Sequence, residues 1–412
     1  MGCEPPPAAP SGAPAGAGRL TTALRSCYRQ AVDQAPVLWV DDAAALAALV
    51  AALEQSEAVA FDTEFHPEQS YTPQLMLVQL RTPAGAALVD PLAVELQPLL
   101  EALGRPGLTC IGHAAAADVG ILLARFGRAP AELFDTQLAA AFAGHGLQLS
   151  LAELSARVLG RAVCKRERFT DWSQRPLTAA QRRYALGDVE PLLELRERLE
   201  RELERRGVLC WFRQDAARLL QPQSYARSPE QLAERLRGAE RLSRRELAQL
   251  YALLEERERL AAAHGVPRRR IAADRALLVL ARRAPRTLDE LRASGLLHEQ
   301  QLATAGQPLL AALERARALP AAQLPAPLDS CREGELGSRL GRLRALLERA
   351  AARTGLPAPL IASVGTLRRA LRAFAAPDGR AAAAPQQALA QLGLDGWRAE
   401  VLGPELLAAL RG

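Results

Sequence analysis

The hydrophobic pattern changes character along the chain. In the first stretch, apolar runs are short and separated by turn residues. Residues 37–40 predict a strand, and Asp41-Asp42 then cap an Ala/Leu helix to about Glu54. Further strands are expected at about 58–65, at 75–80 and at 86–89, punctuated by Pro73 and by Ala84-Gly85. Their short links predict an antiparallel meander. The pattern then alternates: helix over 92–103, strand over 108–111, helix over 115–126, a short strand at Leu133-Phe134, and a helix opening at Asp135-Thr136. Such alternation predicts parallel strands joined by crossover helices. From about Ser150 only helical periodicity remains, at 149–159 and from Thr178 to about Arg206.

Proline then marks boundaries. Pro222, Ser228 and Pro229 separate the mixed α/β region from a set of helices over 229–318, and Pro320, Pro325 and Pro327 separate that set from an alanine-rich helical region over 332–412. The fold class expected is therefore α/β: a mixed sheet in a domain spanning 36–222, followed by two small all-α domains. Residues 1–35 open with MGCEPPPAAPSGAPAGAG and read as a disordered leader. That start lacks the basic-then-apolar layout of a signal peptide.

Composition narrows the class. A chain of 412 residues with 49% hydrophobic and 24% charged residues is globular and long enough for several cores. No run of about 18 apolar residues suggests a membrane span. The six cysteines are scattered without a Cys-x-x-Cys pair, which suits free thiols in a reducing cytoplasm rather than a disulfide framework or a zinc site. A net charge of +6 is compatible with a phosphate-rich partner. Residues 161–183 carry seven basic residues against two acids, and residues 241–292 carry thirteen arginines against seven acids. Either stretch reads as a nucleic-acid surface or as a solvated basic face.

The chemistry begins at Asp62-Thr63-Glu64, at the end of the apolar strand Val59-Ala60-Phe61. Residues two apart on a strand share a face, so two carboxylates stand side by side where desolvation and mutual repulsion both cost energy. A divalent cation between them reverses that cost. Asp118 is a lone acid in an apolar helix, and Tyr184 and Asp188 are four apart on one helical face. Taken singly, each acid has an ordinary reading as a strand end, a solvated side chain or an arginine partner. Four acids on elements that converge on one sheet edge favour a shared role.

These motifs resemble those of the DEDD-type 3′–5′ exonucleases, tyrosine subgroup, and most closely ribonuclease D. The likeness extends through Pro73-Gln74-Leu75, Phe134-Asp135-Thr136-Gln137 and Thr170-Asp171-Trp172-Ser173-Gln174-Arg175-Pro176-Leu177, and the helical regions resemble two helicase-and-RNase-D C-terminal (HRDC) domains, the second degenerate. The resemblance implies a ribonuclease H-like mixed sheet and two-metal phosphodiester hydrolysis from RNA 3′ ends, with Mg²⁺, or Mn²⁺ in its place. It implies Asp62, Glu64, Asp118 and Asp188 as ligands of two ions, with Asp62 bridging them, and Tyr184 as the group that hydrogen-bonds the attacking water. The substrates implied are tRNA precursors and other structured RNAs with 3′ extensions. The alternatives are a DNA 3′–5′ exonuclease of the same superfamily and a non-catalytic nucleic-acid-binding module. His113, Lys165, Arg166 and Trp172 are candidate substrate contacts. For His113 the rival is a structural strand-end role, and for Trp172 it is core packing. His66-Pro67 departs from the family pattern after the acidic pair, and Gly187 stands where alanine is more usual.

Overall fold

The computed structural model describes residues 37–66, 70–161, 170–328, 334–376 and 379–411. The chain forms two units. The first comprises the chain up to His66, Pro73–Tyr225 and Arg353–Leu360; the second comprises Pro67–Thr72, Ala226–Ala352 and Ile361–Gly412. The expected leader lies outside the described residues.

The first unit is built on six strands: β1 (Val37–Val40), β2 (Ala58–His66), β3 (Gln74–Thr82), β4 (Gly85–Val89), β5 (Thr109–Gly112) and β6 (Glu132–Asp135). Their order in the sheet is β1-β4-β3-β2-β5-β6. The β2-β3-β4 segment is an antiparallel meander, whereas β5 and β6 extend it in parallel and β1 pairs with β4 in parallel. This is the mixed sheet expected from short links followed by strand–helix alternation. Strand β2 is central, so its apolar half is buried: Val59, Ala60 and Phe61 are at most 1% exposed. Strand β3 pairs with β2 from Arg81 to Gln74, and a bulge between Glu64 and Phe65, which leaves Met76 unpaired, breaks the ladder just past the acidic pair.

Helices cover the sheet: α1 (Ala43–Glu54), α2 (Gln97–Leu103), α3 (Ala116–Phe126), α4 (Thr136–Ala143), α5 (Leu151–Val158), α6 (Ala179–Val189), α7 (Leu192–Arg205) and α8 (Leu209–Leu219). Asp42 caps α1 through the Ala45 N–H, and Asp135 caps α4 through the N–H groups of Gln137 and Leu138. Ser150–Glu153 and Thr178–Gln181 are capping boxes that start α5 and α6.

Four features differ from expectation. Helix α2 begins at Gln97 rather than 92, because Asp90 accepts the Leu92 N–H and holds a turn there. The single helix expected from Thr178 to Arg206 is two, divided at Pro191, whose missing N–H and ring break the ladder. Helix α8 was not anticipated; it buries Trp211 and Phe212, and Phe212 packs its ring 4.7 Å from that of Phe134. Among the cysteines, Cys110 is a buried free thiol, whereas Cys210 is disulfide-bonded, contrary to the all-thiol reading. Spacing along a chain carries no record of proximity in space.

The second unit is helical. It contains α9 (Pro229–Ala233), α10 (Arg244–Ala263), α11 (Arg268–Ile271), α12 (Asp274–Arg283), α13 (Leu288–Ala293), α14 (Glu299–Arg317) and α15 (Gly334–Thr354), then shorter helices from Ala358 to Arg411. Leu247, Leu250, Leu253 and Leu254 of α10 pack with Leu277 and Leu280 of α12 and Leu309 and Leu313 of α14. The buried guanidinium of Arg372, on the helix Val364–Phe374, is held by Glu230 and Glu234. Among the described residues no helix is long and apolar enough to cross a membrane.

Two glycines give opposite predictions. A Cβ on Gly112, at the end of β5, would fall 2.6 Å from the Ala115 Cβ and 3.3 Å from the Phe61 ring. Gly112→Ala is therefore expected to destabilise the protein by about 1–3 kcal/mol. Gly187, inside α6, has open space where its Cβ would go. Gly187→Ala is expected to stabilise by about 1 kcal/mol through helix propensity alone. Denaturant melts of the two variants check both signs.

Candidate active site

The site is assembled where β2 ends. The pleat sets Asp62 and Glu64 on one face of the strand. Helix α6 packs across β2, β3 and β4 and brings Asp188 to the pair. Carboxylate oxygens of Asp62, Glu64 and Asp188 lie within 4.8 Å of one another, each residue partly buried. One turn before Asp188 on the same helical face, Tyr184 lies close enough to feel the charges of Asp188, Glu64 and Asp62.

Asp118 approaches differently. It lies in the first turn of α3, and its Oδ1 accepts a short hydrogen bond from the Thr63 hydroxyl, so it stands outside the three-acid group. Thr63 sits between the two acids in sequence and faces the other side of β2. The turn that delivers Asp118 is itself held in place. Ala114 adopts a φ of 55°, a left-handed conformation unfavourable for a residue with a side chain. The Asp135 carboxylate offsets that cost by accepting the N–H groups of Ala114 at 3.3 Å and Ala115 at 2.8 Å while also capping α4.

Electrostatics register the crowding. Burial first, then the charges of Asp118, Asp188 and Glu64, push the Asp62 carboxyl well above its ordinary range. Burial pushes Asp118 up to about 6, against the opposing Thr63 hydrogen bond, and the Asp135 charge adds a further upward push. Tyr184 is raised too, by burial and then by Asp188, Glu64 and Asp62, so its hydroxyl stays protonated. Three carboxylates clustered in a partly desolvated place form an all-oxygen donor set that suits a hard divalent cation. Such a cation would remove the repulsion that raises Asp62.

The loop before α6 buttresses Tyr184. Trp172 is 3% exposed and packs with Met76, Leu77, Leu88, Leu177 and Ala185, its ring 6.0 Å from that of Tyr184. Burial under Tyr184 removes Trp172 from the candidate substrate contacts. Arg175 locks the loop: its Nε and Nη2 donate to Asp90 at 2.5 and 2.8 Å, and it also donates to the carbonyls of Trp172, Gln174 and Met76. Arg175 in turn holds the Asp90 carboxyl below its ordinary range despite burial. Buried Gln181 ties the start of α6 to Thr170 and Asp171.

The remaining candidates divide. His113 is engaged on both ring nitrogens, Nδ1 3.0 Å from the Thr136 hydroxyl and Nε2 3.0 Å from the Leu149 carbonyl oxygen, and burial lowers its pKa. It is a strand-end structural residue, with no nitrogen left for substrate. Lys165 and Arg166 lie outside the described residues. Arg161 pairs with Glu194 and Arg175 with Asp90, which takes two cations out of the expected basic loop. His66 Nε2 lies 3.2 Å from Asp171 Oδ1, linking the strand exit to the Trp172 loop.

One neighbour of the acids was missed in the sequence. Gln79 is fully buried, stands opposite Asp62 in the β2–β3 register, and directs its amide towards Asp62 Oδ2 at 3.5 Å. The available signal was an amide in an otherwise apolar strand.

Residues 37–204 match the family model described as 3′-5′ exonuclease, and residues 246–313 match the HRDC domain. Two curated relatives, the ribonuclease D proteins of Granulibacter bethesdensis and Acidiphilium cryptum, are each 37% identical to this chain. The alignments cover 89% and 90% of this chain and 91% and 92% of theirs. The crystal structure of Escherichia coli RNase D, an exoribonuclease involved in structured RNA processing, superposes with a TM-score of 0.74 at 29% identity. That likeness covers 91% of this chain and 99% of the other.

The raised acids predict a pH-dependent stability. The folded chain binds these protons more tightly than the unfolded one, so stability falls as pH rises from about 4 through about 6. Metal-free protein is therefore expected to gain thermal stability from Asp118→Asn at pH 7.5 but not at pH 4. Added Mg²⁺ should raise the wild-type melting temperature more at pH 7.5 than at pH 5. Melts with and without EDTA across this range read both effects.

Proposed function

The chain belongs to the ribonuclease D family and is a divalent-metal-dependent 3′–5′ exoribonuclease; from that premise we propose that it trims 3′ extensions of structured RNAs in the cytoplasm, tRNA precursors first. The observation that carries the reading is the convergence of Asp62, Glu64 and Asp188, from a central strand and a distant helix, with Tyr184 in the field of all three.

Asp62, Glu64 and Asp188 would hold one ion, and Asp62 with Asp118 would serve a second, Mg²⁺ being favoured by an all-oxygen donor set. When bound, such ions lower the pKa of water and neutralise the charge that builds on the phosphate oxygens. Tyr184 keeps its proton, so its role is to orient the attacking water by hydrogen bonding rather than to deprotonate it. Trp172 and the Arg175–Asp90 pair fix the ring of Tyr184 from behind. Attack of water oxygen on phosphorus breaks the bond to the 3′-oxygen, which leaves with a proton. The product is a nucleoside 5′-monophosphate. In this reading the nuclease domain spans 36–222, and the two helical domains, at 229–318 and 332–412, grip the RNA.

Asp62→Asn should abolish Mg²⁺-dependent release of mononucleotides, by at least about 100-fold. Tyr184→Phe should lower kcat by about 100-fold while leaving RNA affinity unchanged. Activity that survives Asp62→Asn would place hydrolysis elsewhere. Single-stranded RNA and DNA of equal sequence, assayed side by side, test the substrate: faster cleavage of DNA would overturn the RNA assignment.

A further inference from the structure

The chain that leaves the mixed α/β region reads in the sequence as a boundary, marked by Pro222, Ser228 and Pro229. In space its first part belongs to the first unit and lies against the helix that carries Asp118. Helix α8 ends at Leu219, a single 3₁₀ turn follows over Pro222–Ser224, and Tyr225 comes next. Hydrogen bonds close this turn on the end of α8. The Tyr225 N–H donates to the Pro222 carbonyl at 3.1 Å and the Ser224 hydroxyl to the Arg218 carbonyl at 2.5 Å. The Tyr225 hydroxyl donates to the Leu219 carbonyl at 2.6 Å. That bond engages the hydroxyl and fixes where the ring lies.

The ring lies on the backbone of α3. Gly120 stands two residues after Asp118 in that helix, and a Cβ there would fall 2.8 Å from Cδ1 and 2.9 Å from Cε1 of Tyr225. No side chain fits between ring and helix. Glycine inside a helix lowers its stability, and here close approach of the ring is what it permits. Gly187 in α6 has no such neighbour. Tyr225 also packs against the core that includes Val119 and Leu122, on either side of Gly120. The acids are near enough to be felt: burial, and then the charges of Asp118 and Asp135, push the Tyr225 hydroxyl up to about 12. The start of α3 is thereby held from three directions. Thr63 donates to the Asp118 carboxylate, Asp135 holds the turn before it, and Tyr225 bears on the residues just after it.

Placement matters most for Asp118. It stands outside the group formed by Asp62, Glu64 and Asp188, so a small shift of α3 alters the second ion's site and leaves the first intact. We propose that Tyr225 is a positioning residue of the metal centre: its ring, laid on the α3 backbone at Gly120, sets where Asp118 stands and so governs the second ion. The inference rests on the exoribonuclease reading, in which Asp118 serves that ion. The ring acts by contact, through α3, and touches neither metal nor substrate. By this account the segment Pro222–Tyr225 is part of the support of the site and not only a boundary.

The test titrates the full chain with Mn²⁺ in the presence of adenosine 5′-monophosphate and counts bound ions by electron paramagnetic resonance. Wild type should bind two ions, and Asp118→Asn one. Tyr225→Leu, which removes the flat ring, should weaken the second ion about tenfold and leave the first unchanged. Gly120→Ala, whose methyl displaces the ring, should do the same. Tyr225→Phe keeps the ring and should bind both ions as wild type does. Gly120→Ala combined with Tyr225→Leu should be no worse than either alone, because both break one contact. With RNA and Mg²⁺, kcat should fall about tenfold in Tyr225→Leu at unchanged KM. Unchanged ions in Tyr225→Leu and Gly120→Ala would overturn the inference. So would equal weakening of both ions, which reports general loss of structure, additive losses in the double variant, or a Tyr225→Phe variant as weak as Tyr225→Leu. Should Tyr225→Leu not fold, Gly120→Ala decides by the same split between the two ions. If wild type itself binds fewer than two ions, the role of Asp118 fails. If it binds two and the variants match it, the role of Tyr225 alone fails.

Discussion

Mutual repulsion among carboxylates is the constraint on which the first unit depends. Burial penalises the ionised form of Asp62 most, and the charges of Asp118, Asp188 and Glu64 deepen that penalty. A fold selected for stability alone would not put these acids together. It tolerates them because each is carried by an element held firmly for other reasons. Strand β2 is locked between β3 and β5, α3 follows the β5 turn, and α6 packs across three strands. The acids are therefore brought close by packing that does not involve them, and a divalent cation converts the repulsion into binding energy.

The supporting contacts share a logic. Asp135 accepts four backbone N–H groups and so fixes the starts of α3 and α4 together, at the price of one left-handed alanine. Arg175 joins the Trp172 loop to Asp90 at the end of the meander and to the Met76 carbonyl on β3. Gln181 joins the same loop to the first turn of α6. The links from Asp135 to the turn at Ala114 and from Arg175 to Asp90 and Met76 run between segments far apart in sequence, and Gln181 closes the loop before α6 on itself. A site built this way is rigid before any ligand arrives, which favours chemistry that depends on positioning.

Much of this was legible in the sequence. The meander, the strand–helix alternation and the acid pair on β2 follow from local periodicity and from the rule that residues two apart share a face. The helix opening at Asp135 was equally plain. What sequence could not show was long-range pairing. Arg175 reads as one cation in a basic loop until Asp90, far away in the chain, is seen to bind it. Trp172 and His113 look free to meet a substrate until the core beneath Tyr184 and the Leu149 carbonyl claim them. Gln79 passes as a strand residue because its significance is the register that sets it opposite Asp62. Asp118 reads as one of four like acids until its hydrogen bond from Thr63, carried by the strand between Asp62 and Glu64, is seen. The same limit applies to the helical unit, where the pairings of Arg257 with Asp274 and of Arg268 with Glu258 are visible only in three dimensions.

The central claim is that these carboxylates form a metal centre, and anomalous diffraction from crystals soaked in Mn²⁺ tests it most directly. The account predicts a strong peak bounded by Asp62, Glu64 and Asp188, a second one shared between Asp62 and Asp118, and loss of the first in Asp188→Asn crystals. Peaks confined to other surface acids, with none beside Asp62 at saturating Mn²⁺, would contradict it.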